Sequence, residues 1–124
     1  MKSCLSFDFL TPNVDQQHTA RLWIQSVLQI QLPDSDNLYT SLRDGVFLCK
    51  LMNDLIPNSI PFIYYENNMD AWTKNIQQFL IASEQNGGLD TFQLFDINDL
   101  LYGHDMIAVS LIQSWDTIIK NIGV

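Results

Sequence analysis

The sequence predicts an all-α domain, and three observations carry that expectation. Apolar residues recur at helical spacing in four long blocks, clusters of Gly, Pro, Asn and Asp punctuate the blocks, and no stretch alternates with the period of two that a strand requires. The chain has 124 residues, one domain's worth. At that size about two thirds of the unfolded surface can be buried.

The first block follows Asn13 or Asp15 as N-cap and stacks Ala20, Trp23, Ile24, Val27 and Leu28 on one face. It ends ahead of Pro33 and the Asp34-Ser35-Asp36-Asn37 loop. In the second, Asp44 and Gly45 form a turn whose carboxylate can accept from unpaired first-turn N–H groups. Leu48, Leu51, Met52 and Leu55 then make one stripe, and Pro57 forbids continuation. An aromatic connection from Pro57 to Tyr65 leads to the third block, where Trp72, Ile76, Phe79, Leu80 and Ser83 share a face. Asn86-Gly87-Gly88 supplies a left-handed C-terminal cap there. Asp96 to Tyr102 forms one or two helical turns, with Asp99 as a cap. The last helix starts at Asp105 and carries Ala108, Val109, Leu111, Ile112, Trp115, Ile118, Ile119 and Ile122. Its apolar residues run most of the way round, as in a helix surrounded by others. The expected architecture is three or four main helices, plus short helical turns, packed around this central C-terminal helix.

Composition narrows the function classes. The net charge is −8, and the six basic residues, Lys2, Arg21, Arg43, Lys50, Lys74 and Lys120, include no adjacent pair. Nucleic-acid binding needs clustered cations to displace condensed counterions, so it is not expected. Attraction to anionic lipid is disfavoured for the same reason. No apolar run approaches the ~18 residues of a membrane span. The N-terminus, with one lysine and an apolar patch broken by Asp8, is a poor signal peptide. Two cysteines, Cys4 and Cys49, cannot build a disulfide framework. A cytoplasmic, thiol-reduced protein is the expectation.

Catalysis and metal binding find no support in the motifs. A calcium loop counted from Asp96 would place Leu101 and Ile107 where glycine and a bidentate glutamate belong. His18 and His104 lie far apart without a Cys or His partner at metal spacing, which suits solvent-facing or helix-end residues. Cys49, beside an apolar stripe, reads as a buried structural thiol. No catalytic residue, cofactor or metal is expected. Phe62, Ile63, Tyr64 and Tyr65 leave two readings open: a cover over the core, or an exposed contact patch, since Tyr is enriched at interface anchors.

Four ordered segments resemble the calponin homology family. Leu42 to Pro57, LRDGVFLCKLMNDLIP, is similar to that family's signature helix, and Arg21-Leu22-Trp23-Ile24 to its Trp-bearing first helix. Asn75-Ile76-Gln77-Gln78-Phe79-Leu80, followed by Gly87 and Leu89, resembles its third block, with Lys74 where the family has Glu. Leu94 to Leu100, then Asp105-Met106 and Val109, resembles the closing segment. The likeness covers about residues 14 to 120, dividing the chain into an N-terminal extension (1–13) and the domain (14–124). The wording is most similar to single, type-3 members such as calponin, transgelin, Vav-type exchange factors and IQGAP-type scaffolds. Trp23, Leu48, Leu51, Phe79 and Val109 are expected to be core residues, and Asp44, Asp99 and Asp105 caps.

The resemblance implies a non-catalytic protein-interaction module, a regulatory or targeting domain of a larger cytoskeletal or Rho-GTPase signalling protein such as a guanine nucleotide exchange factor. Met1 reads as a natural start, and the end at Val124 as a boundary within that larger protein. A lone domain of this kind is expected to be monomeric and cytoskeleton-associated. Family members that bind F-actin do so through the first helix and the last two helices. Here the corresponding first-helix face offers Gln16, Gln17, Gln25 and Gln29 instead of a cationic row. Actin is itself acidic, so weak or absent binding is expected by electrostatic repulsion. The alternatives are direct F-actin binding, or docking of a calmodulin-like protein or of another domain of the parent chain. Tyr64 and Tyr65 join the four glutamines as candidate partner-binding residues.

Overall fold

The computed structural model describes the backbone of residues 12–33 and 37–115 and the side chains from residue 16, and among these described residues it forms six α-helices and two short 3-10 turns. No strand occurs among the described residues. Helix α1 spans Pro12–Leu28. It therefore starts ahead of the expected caps Asn13 and Asp15, which lie inside it. Proline suits a first helical position because its φ is preset and its missing N–H would go unpaired anyway. The helix ends where Gln29 adopts a left-handed φ of 56°.

A five-residue helix, α2 (Leu38–Leu42), follows and was not anticipated from the pattern. It is too short to display a period; its one local signal is Asn37, whose side chain accepts from the Thr40 N–H at 3.2 Å. Helix α3 (Val46–Leu55) begins after Gly45, and α4 (Met69–Gln85) begins after the N-cap Asn68. At the far end of α4, Gly88 takes the left-handed conformation at φ 72°. The Leu89 N–H returns to the Ser83 carbonyl at 3.2 Å, closing the helix. A 3-10 turn (Thr91–Gln93) leads to α5 (Ile97–Leu101). There Asp96 is the N-cap, and Asp99 accepts from the Asp96 N–H at 2.9 Å, so the pair forms a reciprocal capping box.

Helix α6 (Met106–Ser110) is capped by Asp105, which accepts from the Ala108 N–H at 3.1 Å. It tightens into a 3-10 turn over Leu111–Ser114, where the sequence suggested one continuous α-helix. Ser110 returns its hydroxyl to the Met106 carbonyl at 2.6 Å at that point, a bond that bends helices. Val109, Ile112 and Trp115 are buried, but Ile107 and Leu111 face solvent, so the described part of this helix keeps an open face. Ile118, Ile119 and Ile122 lie outside the described residues.

The core joins these elements through Ala20 and Ile24 of α1, Leu48, Leu51 and Met52 of α3, Ile76 and Phe79 of α4, Leu100, Val109 and Ile112, all essentially inaccessible to solvent. Burying each large member stabilises the fold by about 1.5–3 kcal/mol. At its centre the Phe79 ring stacks on Trp115 with centroids 5.5 Å apart, and Phe95 completes the group 6.1 Å from Phe79. Trp23 departs from the expected core position. It remains partly exposed and packs at the margin, because α1 turns Ala20 and Ile24 inward and leaves the tryptophan at the edge of the stripe.

Candidate interaction surfaces

The junction between α3 and α4 fixes the most distinctive surface. Gly45 takes φ 76°, and a Cβ there would fall 2.6 Å from the Cβ of Asn75, so only glycine permits this approach of the α3 start to α4. Asp44 sits just ahead and accepts the Val46 N–H at 3.0 Å, serving the first turn from a position preceding the cap. Fully buried Asn75 faces this turn. Its amide donates to the Asp44 carbonyl (2.9 Å) and the Tyr64 carbonyl (2.7 Å), while its oxygen accepts from the Tyr64 N–H (2.9 Å). One side chain thus ties the aromatic connection to both helices. Gln78 adds a bond to the Phe62 carbonyl at 2.9 Å. From α3, Asn53 makes paired bonds to Ile60, 3.0 Å to its carbonyl and 2.7 Å from its N–H.

Held in this way, the connection divides its apolar residues. Ile60 is buried and Tyr64 half-buried, whereas Phe62 and Tyr65 are 58% and 66% exposed. The run therefore splits: Ile63 and Tyr64 are partly covered, while Phe62 and Tyr65 are open to solvent. Phe62 and Tyr65 border a cleft of about 370 Å³ that also contacts Ile60, Pro61, Asn53 and Glu66. Three cations lie against aromatic rings in this half of the molecule. The Arg43 guanidinium is 4.7 Å from the Trp72 centroid and 5.6 Å from that of Tyr39. The Lys50 ammonium is 5.6 Å from Phe47 and 5.9 Å from Tyr65. Lys74 is 5.2 Å from Tyr64 and also pairs with Asp70 at 3.0 Å. That pairing raises the Lys74 pKa, chiefly through the Asp70 hydrogen bond.

The four glutamines do not form a matching constellation. Gln16 and Gln17 are half-buried, and Gln17 borders a cleft of about 360 Å³ with His104, Asp105 and Met106. The Gln25 side chain accepts the Leu32 N–H at 2.9 Å, so it holds the loop that follows α1. Gln29 is exposed and ends the helix. None of these side chains bonds to the Tyr64–Tyr65 segment among the described residues. The one cation on α1, Arg21, is only 5% exposed and donates to the Ser41 hydroxyl at 3.1 Å. Cys49 is buried against the Asn75 carbonyl, and burial, reinforced by nearby Asp44, pushes its thiol up to about 12. Such a thiol is inert as a nucleophile at neutral pH.

Sequence reasoning missed Asn75 and the cation–ring contacts. A polar residue within the apolar face of α4, next to Ile76, was a readable sign of a buried hydrogen-bonding post. Tyr39 with Arg43, and Phe47 with Lys50, stand at helical-neighbour spacing and were also accessible. The Trp72 and Tyr65 contacts depend on tertiary packing.

Comparison with known proteins agrees with this architecture. The family model for the calponin homology (CH) domain matches residues 14–115. A calponin homology and LIM domain-containing protein of Dictyostelium discoideum is 35% identical over 77% of this chain and 14% of its own length. Rac guanine nucleotide exchange factor B of the same organism is 34% identical over 77% of this chain and 8% of its own length. The chain thus spans only a small part of these two relatives. Among solved structures, the calponin-homology domain of an IQGAP protein from Schizosaccharomyces pombe superposes with a TM-score of 0.69 at 25% identity, covering 90% of this chain and 70% of that one. With the helices, their order and the signature segments all in place, the chain belongs to the calponin homology domain family.

Proposed function

We propose that this domain is a non-catalytic regulatory or targeting module of a larger cytoskeletal or Rho-GTPase signalling protein, and that it binds F-actin weakly or not at all by itself. The observation that carries this reading is where its cations sit. The faces through which actin-binding relatives are expected to make contact are α1 and the α5–α6 region. Among the described residues they hold one basic side chain, Arg21, and it is buried. Those faces present Gln17, Gln29, Tyr102, His104 and Ile107 with Asp96, Asp99 and Asp105. An acidic filament gains no electrostatic steering from such a surface. Similarity to an exchange factor and to an IQGAP domain supports the signalling context. No helix among the described residues is long and apolar enough to cross a membrane. Co-sedimentation with F-actin near physiological salt tests the reading. The domain is expected to remain in the supernatant, and saturable pelleting at micromolar concentration would favour the direct actin-binding alternative.

A further inference from the structure

One residue pair of this chain is chemically labile, and the fold holds it shut. Asparagine is a labile residue because the next backbone nitrogen can attack its side-chain amide. Glycine in that next position leaves the attack unhindered, since it has no Cβ. Asn86 is the only asparagine of the sequence that precedes glycine. It is exposed and forms the C-cap of α4, while Gly87 beside it is buried. The Asn86 and Gly87 N–H groups both donate to the Ala82 carbonyl, at 2.8 and 3.0 Å, and the Leu89 N–H donates to the Ser83 carbonyl at 3.2 Å. Cyclisation needs the Gly87 nitrogen freed of its proton and turned toward the Asn86 side chain. In the closed helix end that proton is hydrogen-bonded, and the Asn86 ψ of −30° is a helical value that turns the nitrogen away.

We propose that Asn86 is a self-modification site, a slow clock whose rate is set by opening of the α4 C-terminal closure. Helix ends open at a small fraction of the global unfolding free energy. When this one opens, the Gly87 nitrogen gives its proton to hydroxide and attacks the Asn86 Cγ. A five-membered succinimide closes, and the side-chain nitrogen leaves as ammonia with a proton from water. A second water then opens either carbonyl, giving aspartate or the backbone-lengthened isoaspartate. The product closes poorly. A Cβ on Gly87 would stand 2.6 Å from the Ser83 carbonyl oxygen, so Gly87 lies flush against α4 and is displaced by the methylene that isoaspartate adds ahead of it. Either product also places a negative charge at the C-terminal end of α4, where the helix dipole opposes it, in a chain already at −8. Asn86 borders a cleft of about 190 Å³ with Ile81 and with Ile60 of the aromatic connection, so the new carboxylate changes that surface as well.

The test incubates the full chain near neutral pH, natively and in guanidinium chloride, and maps its peptides by mass spectrometry. Conversion reads as the mass gain from amide to acid, and isoaspartate as methyl transfer by an isoaspartyl methyltransferase. Cyclisation and hydrogen exchange both need the Gly87 N–H free. The native chain should therefore convert more slowly than the unfolded one by the protection factor of that amide, to within about threefold. Gly88→Ala strains the left-handed φ of 72° without touching the Asn86–Gly87 pair, and should lower protection and speed native conversion together. In the converted protein, separated by its added charge, the Leu89 amide should exchange faster. Equal native and unfolded rates, a native rate further than threefold from the one that protection sets, or first conversion at Asn58 or another asparagine would each overturn the proposal. So would a folded Gly88→Ala chain that loses protection but converts no faster, or unchanged Leu89 protection in the product. The comparison of native and unfolded rates needs no variant, so it decides even where Gly88→Ala does not fold.

Discussion

The α1 side and the α3–α4 side of this domain use their cations in opposite ways. On α1 the single arginine is drawn inward to Ser41, leaving a face of neutral polar and apolar groups. Between α3 and α4, Arg43, Lys50 and Lys74 stay at or near the surface, each laid on an aromatic ring. Net charge is a sum over both sides and describes neither. The described α1 face carries no accessible cation, whereas Lys50 stays exposed beside the Tyr65 ring of the aromatic connection. Where a charge is held matters more than how many there are, because screening limits its reach to about a Debye length.

The shared core beneath the two sides provides the largest expected effect. Phe79→Ala should cost about 3–5 kcal/mol in urea melts, as for other large core truncations. Trp23→Ala, at the margin under α1, should cost distinctly less. Equal losses would place Trp23 inside the core and redraw the α1 face. Asn75→Ala removes three bonds at the α3–α4 junction and should cost about 3 kcal/mol, since buried polar partners are left unpaired. Faster hydrogen exchange at the Tyr64 amide should accompany it; unchanged protection there would mean that Asn75 does not hold the connection. Asp44→Ala should cost about 1 kcal/mol, the usual worth of a capping side chain, and Asp44→Asn much less.

A smaller effect concerns Cys49. Burial and Asp44 raise its thiol from 9.0 to about 12, so the folded state holds the proton more tightly than the unfolded chain. Its contribution to stability is full below pH 9 and is lost as pH rises toward 12. In a Cys4→Ser background, a thiol reagent at pH 8 should label the native protein far more slowly than the urea-unfolded one. Comparable rates would show that the α3–α4 junction opens readily.

Helix faces were legible from spacing because a buried stripe imposes a strict register. Ile24, Leu48, Leu51, Ile76, Phe79 and Val109 all lie where the period places them. The width of a stripe is less determined, and so Trp23 at its edge and the open Ile107–Leu111 side of the last helix were misjudged. Helix α2 escaped because five residues are too few to show a period. The candidate surface was legible only in its aromatic half. Tyr64 and Tyr65 stood out in the sequence, but Lys50 meets Tyr65, and Arg43 meets Trp72, only after α3, the connection and α4 pack together. The glutamines suggested a face of their own, yet Gln25 is spent on the Leu32 backbone.

The salt dependence of F-actin co-sedimentation tests the contrast between the two sides most directly, because its sign reports the local field that actin meets. The unmodified domain should stay in the supernatant near physiological salt and also at low salt, where weaker screening strengthens repulsion. Ser26→Lys with Gln29→Lys, which adds exposed cations to α1, should produce pelleting that grows as salt falls. Micromolar pelleting of the unmodified domain, strengthened at low salt, would contradict the account.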